Sequence, residues 1–427
     1  MAPLSPWSIT VIRHRARILS LFLLSQLAVQ AMGFAAGIVI VRSLSASDYA
    51  LYTIAGSMLG FLTGLADSGT SNALLALGGK CWESATRLGN LIRAAVQLRW
   101  RLLGYGALAA LAPYVWLALR ADATLNQVVL LITLVLLSSI AQLYYTIHTV
   151  VLKLHSRIAA LQGLEFFGGS LRFVLLLFAS YTFLGIIVAL SINFAAGAIQ
   201  AITARRWSAD FIAASTVAHD GERSQIMALV RSQIPNALFF ALYSQATVLA
   251  IAVFGRVREI AEVGALGRLA VIFNLFGAIL SMIMLPRFAR ARTRRALLKQ
   301  YTEVMSAFGV MAFGLSSAAL IFPKELVWVL GEKYANLDEL IGVLVATSLI
   351  SIFVGLVWHL NAAQGWVRGA WQTIPCVLAG QIIAAFAFDL ASVRGVLLFG
   401  SVPLLAALIV LWRLTKAGIS AAADQTA

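Results

Sequence analysis

The sequence predicts an all-α integral membrane protein of about twelve transmembrane helices, arranged as two parallel six-helix repeats with both termini in the cytoplasm. Three observations carry that expectation. The composition is 61% hydrophobic and only 11% charged, twelve apolar runs are long enough to cross a bilayer, and Lys and Arg alternate in density from loop to loop. A soluble domain carries about 25% charged and about 45–50% apolar residues, so hydrocarbon is the main solvent of this chain. The net charge of +15 does not indicate nucleic acid, because no long polar stretch exists to form a basic face.

Crossing about 30 Å of hydrocarbon takes roughly 20 apolar residues. Runs of that kind lie near 18–41, 49–68, 101–119, 125–147, 161–181, 184–204, 229–254, 263–285, 304–322, 340–362, 371–390 and 394–412. The first follows Arg13, Arg15 and Arg17, as a secretory leader would, but it is too long for a cleaved apolar core and reads as a retained helix. Basic loops resist translocation. With the N-terminus inside, the inner segments hold 22 Lys and Arg residues, among them Lys80, Arg87, Arg93, Arg99 and Arg101. The outer segments hold seven, beside nine acids. Cys81 and Cys376 both fall near the inner side, where disulfides are rare.

Internal repetition supports two halves, as in many transporters. Arg42 and Asp48 flank the first outer hinge, and Arg256 and Glu262 recur at an offset of 214. His148 and Arg157 recur as His359 and Arg368 at an offset of 211. Each pair occupies the same place in the helix order, and six helices per half make the repeats parallel. The expected organisation is an N-terminal bundle over 1–205, a cytoplasmic linker over 206–228 and a C-terminal bundle over 229–427. The major facilitator fold also has two six-helix halves, but its Gly-x-x-x-Asp-Arg/Lys signature is missing after the second helix, where the chain reads "ADSGTSNALLALGGKCWESATR".

The stretch "VRSLSASDYALYTIAGSMLGFLTGLADSG", Val41 to Gly69, resembles the polysaccharide-biosynthesis, or O-antigen flippase, family of the MATE-like exporter superfamily. Arg42, Leu44, Asp48, Tyr49, Tyr52 and Asp67 stand at the positions of its Arg-x-Leu, hinge, Tyr and Asp-Leu-Gly elements, with Ala50 in place of the hinge Gly and Ser68 in place of Leu. "SMIMLPRFAR" and "LKLHSRIAALQGLEFFGGSLRFVLLLF" are similar to the same family. The resemblance implies a MATE-like fold in the cell inner membrane. It also implies flipping of a polyprenyl-diphosphate-linked oligosaccharide to the outer leaflet for O-antigen, capsule or exopolysaccharide assembly, beside other polysaccharide-assembly proteins. No cofactor is implied; H+ or Na+ is a candidate coupling ion.

Charged residues within spans cost roughly 2.5–3.5 kcal/mol on insertion scales, so each is a functional candidate. A diphosphate crossing hydrocarbon needs positive charge, and guanidinium offers paired donors to phosphate oxygens. Arg172 and Arg268 are the first head-group candidates, and Arg231 the third, at the inner end of its helix. Arg172 has an alternative as a partner of Glu165 or of helix carbonyls, and Arg231 as an interfacial anchor. Residues spaced by three or four share a helix face. Such faces carry Gln26 and Gln30, then Tyr52, Gly56, Gly60, Thr63 and Asp67, then Gln233, Asn236 and Tyr243. With Asn274, their amides and hydroxyls form the expected sugar-facing cavity lining, while Gly56 and Gly60 also suit close helix packing.

Asp67, His148 and His359 are the candidates for gating or ion coupling. Asp67 has two readings: a gate carboxylate that pairs with an inner arginine, or a helix-end carboxylate solvated beside Lys80 or Arg87. The histidines titrate near neutrality and stand at equivalent points of the repeat, though both also lie near helix ends.

No enzyme motif is present. "GGKC" lacks the spacing and hydroxyl of a phosphate-binding loop, and neither metal-ligand spacing nor a paired carboxylate site occurs. The alternative function is an ion-coupled multidrug or cation antiporter of the same superfamily, which would favour buried carboxylates over arginines. A membrane enzyme of glycan assembly is more distant, because no loop is long enough for a domain.

Overall fold

The structure is a computed structural model that describes residues 9–213, 224, 226, 227, 230, 231, 234–291, 293–366 and 369–421, with side chains from Ser25 onward. The predicted Gln233 and Arg368 lie outside the described residues, as does the side chain of Asn236. Sixteen α-helices follow one another among the described residues. They are α1 (Ile9–Ser43), α2 (Ala46–Asp67), α3 (Thr70–Gly78), α4 (Ala85–Arg120), α5 (Leu125–Leu154), α6 (Ile158–Ser180), α7 (Ile186–Ser208) and α8 (Ile234–Tyr243). The remainder are α9 (Ala246–Phe254), α10 (Val257–Arg290), α11 (Arg294–Ile321), α12 (Pro323–Trp328), α13 (Ile341–Ala363), α14 (Thr373–Ala387), α15 (Val393–Ser401) and α16 (Leu404–Ala421). No strand occurs among the described residues. Among the described residues, eleven stretches are long and apolar enough to span a membrane, and the bent pair α8–α9 makes a twelfth. The all-α, roughly twelve-span expectation therefore holds.

The differences from the predicted runs have physical causes. α2 and α3 count as one span that is kinked at Ser68 and Gly69, both with positive φ (34° and 80°). Glycine suits such a backbone; Ser68 adopts it with its hydroxyl turned onto the Leu65 carbonyl. α4 begins at Ala85, well before the run at 101, because an arginine-rich first half depresses hydropathy without breaking the helix. α10 begins at Val257, six residues ahead of its run, where the Glu259 carboxylate accepts the Arg256 backbone N–H at 3.0 Å. The seventh run is not one helix. α8 and α9 meet at 48°, and the Gln245 amide at the break lies where a Cβ on Gly60 would stand.

The chain forms two compact units: Met1–Ile40 with Leu62–Ala109 and Val129–Ile234, and Val41–Phe61 with Ala110–Val128 and Pro235–Ala427. In the second, Phe288, Leu297, Val304, Leu356 and Leu360 make one core cluster, and Val354, Val357, Val377, Ala407 and Leu411 another. A buried amide joins α13 to α16 there: Asn361 Nδ2 donates to the Leu411 carbonyl at 3.0 Å, and its Oδ1 accepts from Thr415 at 2.8 Å. Large apolar side chains such as Phe313 (77% exposed) and Phe386 (89%) stand outward, as expected where lipid replaces water.

Candidate functional site

In the first unit, the predicted gate carboxylate has a specific partner. Asp67 closes α2, and its Oδ1 accepts from Thr70 Oγ1 (3.3 Å), Ser71 N (3.3 Å) and Ser71 Oγ (2.7 Å), so it also caps the start of α3. Arg99 Nη2 donates to the same oxygen and to Ser71 Oγ. The other donors of Arg99 reach Thr70 Oγ1, the Leu143 carbonyl at 3.2 Å and Thr146 Oγ1. One guanidinium thus ties the α2–α3 kink and α4 to α5. The Arg99 side chain is 2% exposed and that of Asp67 39%.

The reading of Arg99 as a loop cation is corrected. It lies on the face of α4 that buries Leu88, Ile92, Ala95 and Leu103. Neither Lys80 nor Arg87 forms an ion pair with Asp67. A signal existed in the sequence: positions 88, 92, 95, 99 and 103 recur at helical spacing, and Arg99 continues an otherwise apolar stripe.

His148, near the end of α5, is buried, and its Nδ1 lies 2.8 Å from Ser208 Oγ. That hydroxyl also lies 3.0 Å from the Arg205 carbonyl. On α1, Gln26 Oε1 accepts from Gln162 Nε2 at 3.1 Å, while Gln30 is exposed. Arg172 is half-buried along α6, and Arg231 is exposed.

In the second unit, the structure brings Arg268 and Tyr52 together. The Arg268 guanidinium carbon lies 5.7 Å from the centre of the Tyr52 ring, and Tyr49 stands beside it as well. Tyr49 and Tyr52 stack at 6.0 Å, with Tyr334 edge-on to Tyr49 at 6.4 Å. Because α10 starts earlier than its apolar run, Arg268 stands eleven residues in, about three turns from the helix start. Among the described residues, Arg268 joins no ion pair. The nearby acid of α10, Glu262, is held by Arg258 Nε at 2.9 Å and Asn336 Nδ2 at 3.2 Å. Gly264, one turn before Arg268, lets Thr53 of α2 approach the α10 backbone closely.

Asn274 and His359 also come together. They line one cavity of about 630 Å³ between α10 and α13, with Ser281 and the small residues Gly277, Ala278 and Gly355. Tyr243 is half-buried and donates its hydroxyl to the Gly400 carbonyl at 2.8 Å. Thr63 is half-buried on α2. The residue that sequence reasoning missed in this unit is Tyr49 as a partner of Arg268: it stands one turn from Tyr52, but nothing local indicates the helix that meets it.

No family model and no curated protein matches this chain. Solved structures do. The chain is similar to lipid II flippase MurJ in an inward closed conformation (TM-score 0.73, 13% identity, 94% of this chain and 90% of that one). It is also similar to an inward-facing multidrug resistance MATE family transporter of the MOP superfamily (TM-score 0.71, 15% identity, 93% and 96%). A third likeness is to a MOP superfamily transporter from Pyrococcus furiosus, described by a reversed polarity of its binding pocket (TM-score 0.59, 13% identity, 94% and 94%). The fold is therefore that of MOP-superfamily transporters, over nearly the whole chain.

Proposed function

We propose that this protein is a membrane transporter that flips a polyprenyl-diphosphate-linked oligosaccharide from the cytoplasmic to the outer leaflet. The single observation that carries the choice of substrate is Arg268, a guanidinium inside a span that lies over the phenol ring of Tyr52 and beside Tyr49. Phenols orient the guanidinium and leave its charge uncompensated, which suits a diphosphate. A cationic drug would find a repulsive wall there. Two of the carboxylates near span ends are committed elsewhere: Asp67 to Arg99, and Glu262 to Arg258 and Asn336.

In this reading Arg268, Arg172 and Arg231 contact the head group along its path. Tyr52, Thr63, Gln26, Gln30, Gln233, Asn236, Tyr243 and Asn274 offer hydroxyls and amides to sugar. The bundles 1–205 and 229–427 rock about the linker 206–228 in alternating access, with both termini cytoplasmic and the cell inner membrane as the site. Asp67, His148 and His359 serve gating or coupling to H+ or Na+. Nothing in this scheme calls for bond making, and the protein is not an enzyme.

The second reading, an ion-coupled multidrug or cation antiporter, has one observation in its favour. Glu165 is half-buried in α6 close to Tyr145. The experiment that separates the two readings compares Arg268→Gln with Glu165→Gln. Loss of sugar-lipid flipping in the first variant and its retention in the second support the flippase. Drug-cation efflux that depends on Glu165, without sugar-lipid flipping in the parent protein, supports the antiporter.

A further inference from the structure

The first unit also holds a basic cleft that neither Arg99 nor Asp67 lines. It measures about 370 Å³ and is lined by Arg93 and Gln97 of α4, Tyr144 and His148 of α5, and Arg205 of α7, among other residues. Each of the three helices contributes from near one of its ends: Arg93 lies eight residues into α4, His148 six residues before the end of α5, and Arg205 three before the end of α7. That places the cleft at the level where a membrane helix leaves hydrocarbon, among lipid headgroups.

Its electrostatics favour an anion. No lining residue is acidic. Among the described residues, neither Arg93 nor Arg205 joins an ion pair, and Asp210, on the neighbouring turn, is exposed and outside the lining. The cleft is also held in shape. Trp100 Nε1 donates to Tyr144 Oη at 3.2 Å, and the Ser208 hydroxyl holds His148 by Nδ1, which turns Nε2 away from that bond. Arg93 is half-buried, so its charge is partly stripped of water. Two guanidinium forks with a phenol and a primary amide beside them supply donors suited to the several oxygens of a phosphate group. Basic pockets between membrane helices recognise phosphate headgroups by this chemistry.

We infer that this cleft is a binding site for a phosphate-bearing anion, held chiefly by Arg93 and Arg205. The inference does not depend on what the protein transports. Two sources share the chemistry, an anionic phospholipid headgroup and a soluble phosphate or diphosphate.

The test uses the full-length protein in neutral detergent. Affinities are measured for short-chain phosphatidylglycerol, short-chain phosphatidylcholine and inorganic diphosphate, in the parent and in Arg93→Gln/Arg205→Gln. The expected result is preference for phosphatidylglycerol over phosphatidylcholine, with binding weakened tenfold or more in the glutamine pair. If diphosphate competes with phosphatidylglycerol, the site takes free anions as well; if it does not, the site takes the lipid headgroup. A third protein, Arg93→Lys/Arg205→Lys, keeps the charge and is expected to retain most of the binding. Equal affinities in the parent and the glutamine pair would overturn the assignment, as would a parent that neither prefers phosphatidylglycerol nor binds diphosphate. A lysine pair as weak as the glutamine pair, with an unchanged melting temperature, would overturn the role of charge.

Discussion

Arg99, which is buried, and Asp67, which is half-exposed, form an ion pair at the kink between α2 and α3. A carboxylate that closes a membrane helix would be a surface feature if its partner were a mobile loop lysine. Its partner is a side chain that is 2% exposed and whose five donor contacts span three helices and the kink. This gives Asp67 a defined partner at the kink.

The first prediction follows from the unequal exposure of the two partners. Arg99→Ala leaves five acceptors without their donor and should cost about 1–3 kcal/mol, the penalty for unsatisfied buried polar groups. Asp67→Asn keeps an acceptor for Ser71 and Thr70, and its side chain is 39% exposed, so it should cost roughly half as much. Melting temperatures in detergent check the order. Equal losses, or a greater loss for Asp67→Asn, would contradict it.

A second prediction concerns spacing on α10. Gly264 has no room for a Cβ against Thr53. Gly264→Ala should therefore push α2 and α10 apart, cost about 1–3 kcal/mol and move Tyr52 away from Arg268. The double change Gly264→Ala/Thr53→Ala should recover most of the stability, because it empties the contested space. Thermal unfolding of the three variants decides it, and a Gly264→Ala protein as stable as the parent would contradict the close approach.

Asn361 provides a third, purely structural prediction. Its amide bridges α13 and α16 through the Leu411 carbonyl and Thr415. Asn361→Leu removes both bonds and leaves a buried carbonyl with one partner fewer, at a cost of about 1–3 kcal/mol. Unchanged stability would mean that the bridge contributes nothing.

A fourth prediction separates charge from geometry in the spans. Arg268→Gln and Arg172→Gln should each abolish sugar-lipid export while the protein still reaches the membrane. Arg268→Lys and Arg172→Lys should retain part of it, since charge remains and the bidentate fork is lost. Tyr49→Phe/Tyr52→Phe should reduce export by removing the hydroxyls of the two phenols beside Arg268. Export by spheroplasts, normalised to membrane protein, is the readout, and normal export by a glutamine variant would remove that arginine from the path.

The spans were legible in the sequence because membrane helices advertise themselves by length and hydropathy alone. Helix starts were less so. α4 opens with Arg87, Arg93, Arg99 and Arg101, and α10 with Arg258, Glu259 and Glu262; charge lowers local hydropathy although the backbone is already helical. The break between α8 and α9 was invisible because Ser244 and Gln245 are ordinary helix residues and the opening at Gly60 comes from a distant helix. Tertiary partnerships were the least legible. Tyr52, Arg268, Asn274 and His359 are each legible as single residues, but that Tyr52 meets Arg268, and Asn274 meets His359, depends on which helices lie side by side. Arg99 was misplaced for the opposite reason: four arginines in one stretch look alike, and only the buried stripe it shares with Leu88, Ile92 and Ala95 sets it apart.

The central claim, flipping of a diphosphate-linked oligosaccharide, is tested most directly in liposomes. The purified protein is reconstituted with such a lipid in both leaflets, and the fraction cleaved by an external glycosidase is followed over time, with imposed proton and sodium gradients. The account predicts cleavage rising well past the outer-leaflet share, and loss of that rise in Arg268→Gln. Cleavage that stops at the level of protein-free liposomes, across several sugar-lipids and with either gradient imposed, would contradict it and favour the antiporter.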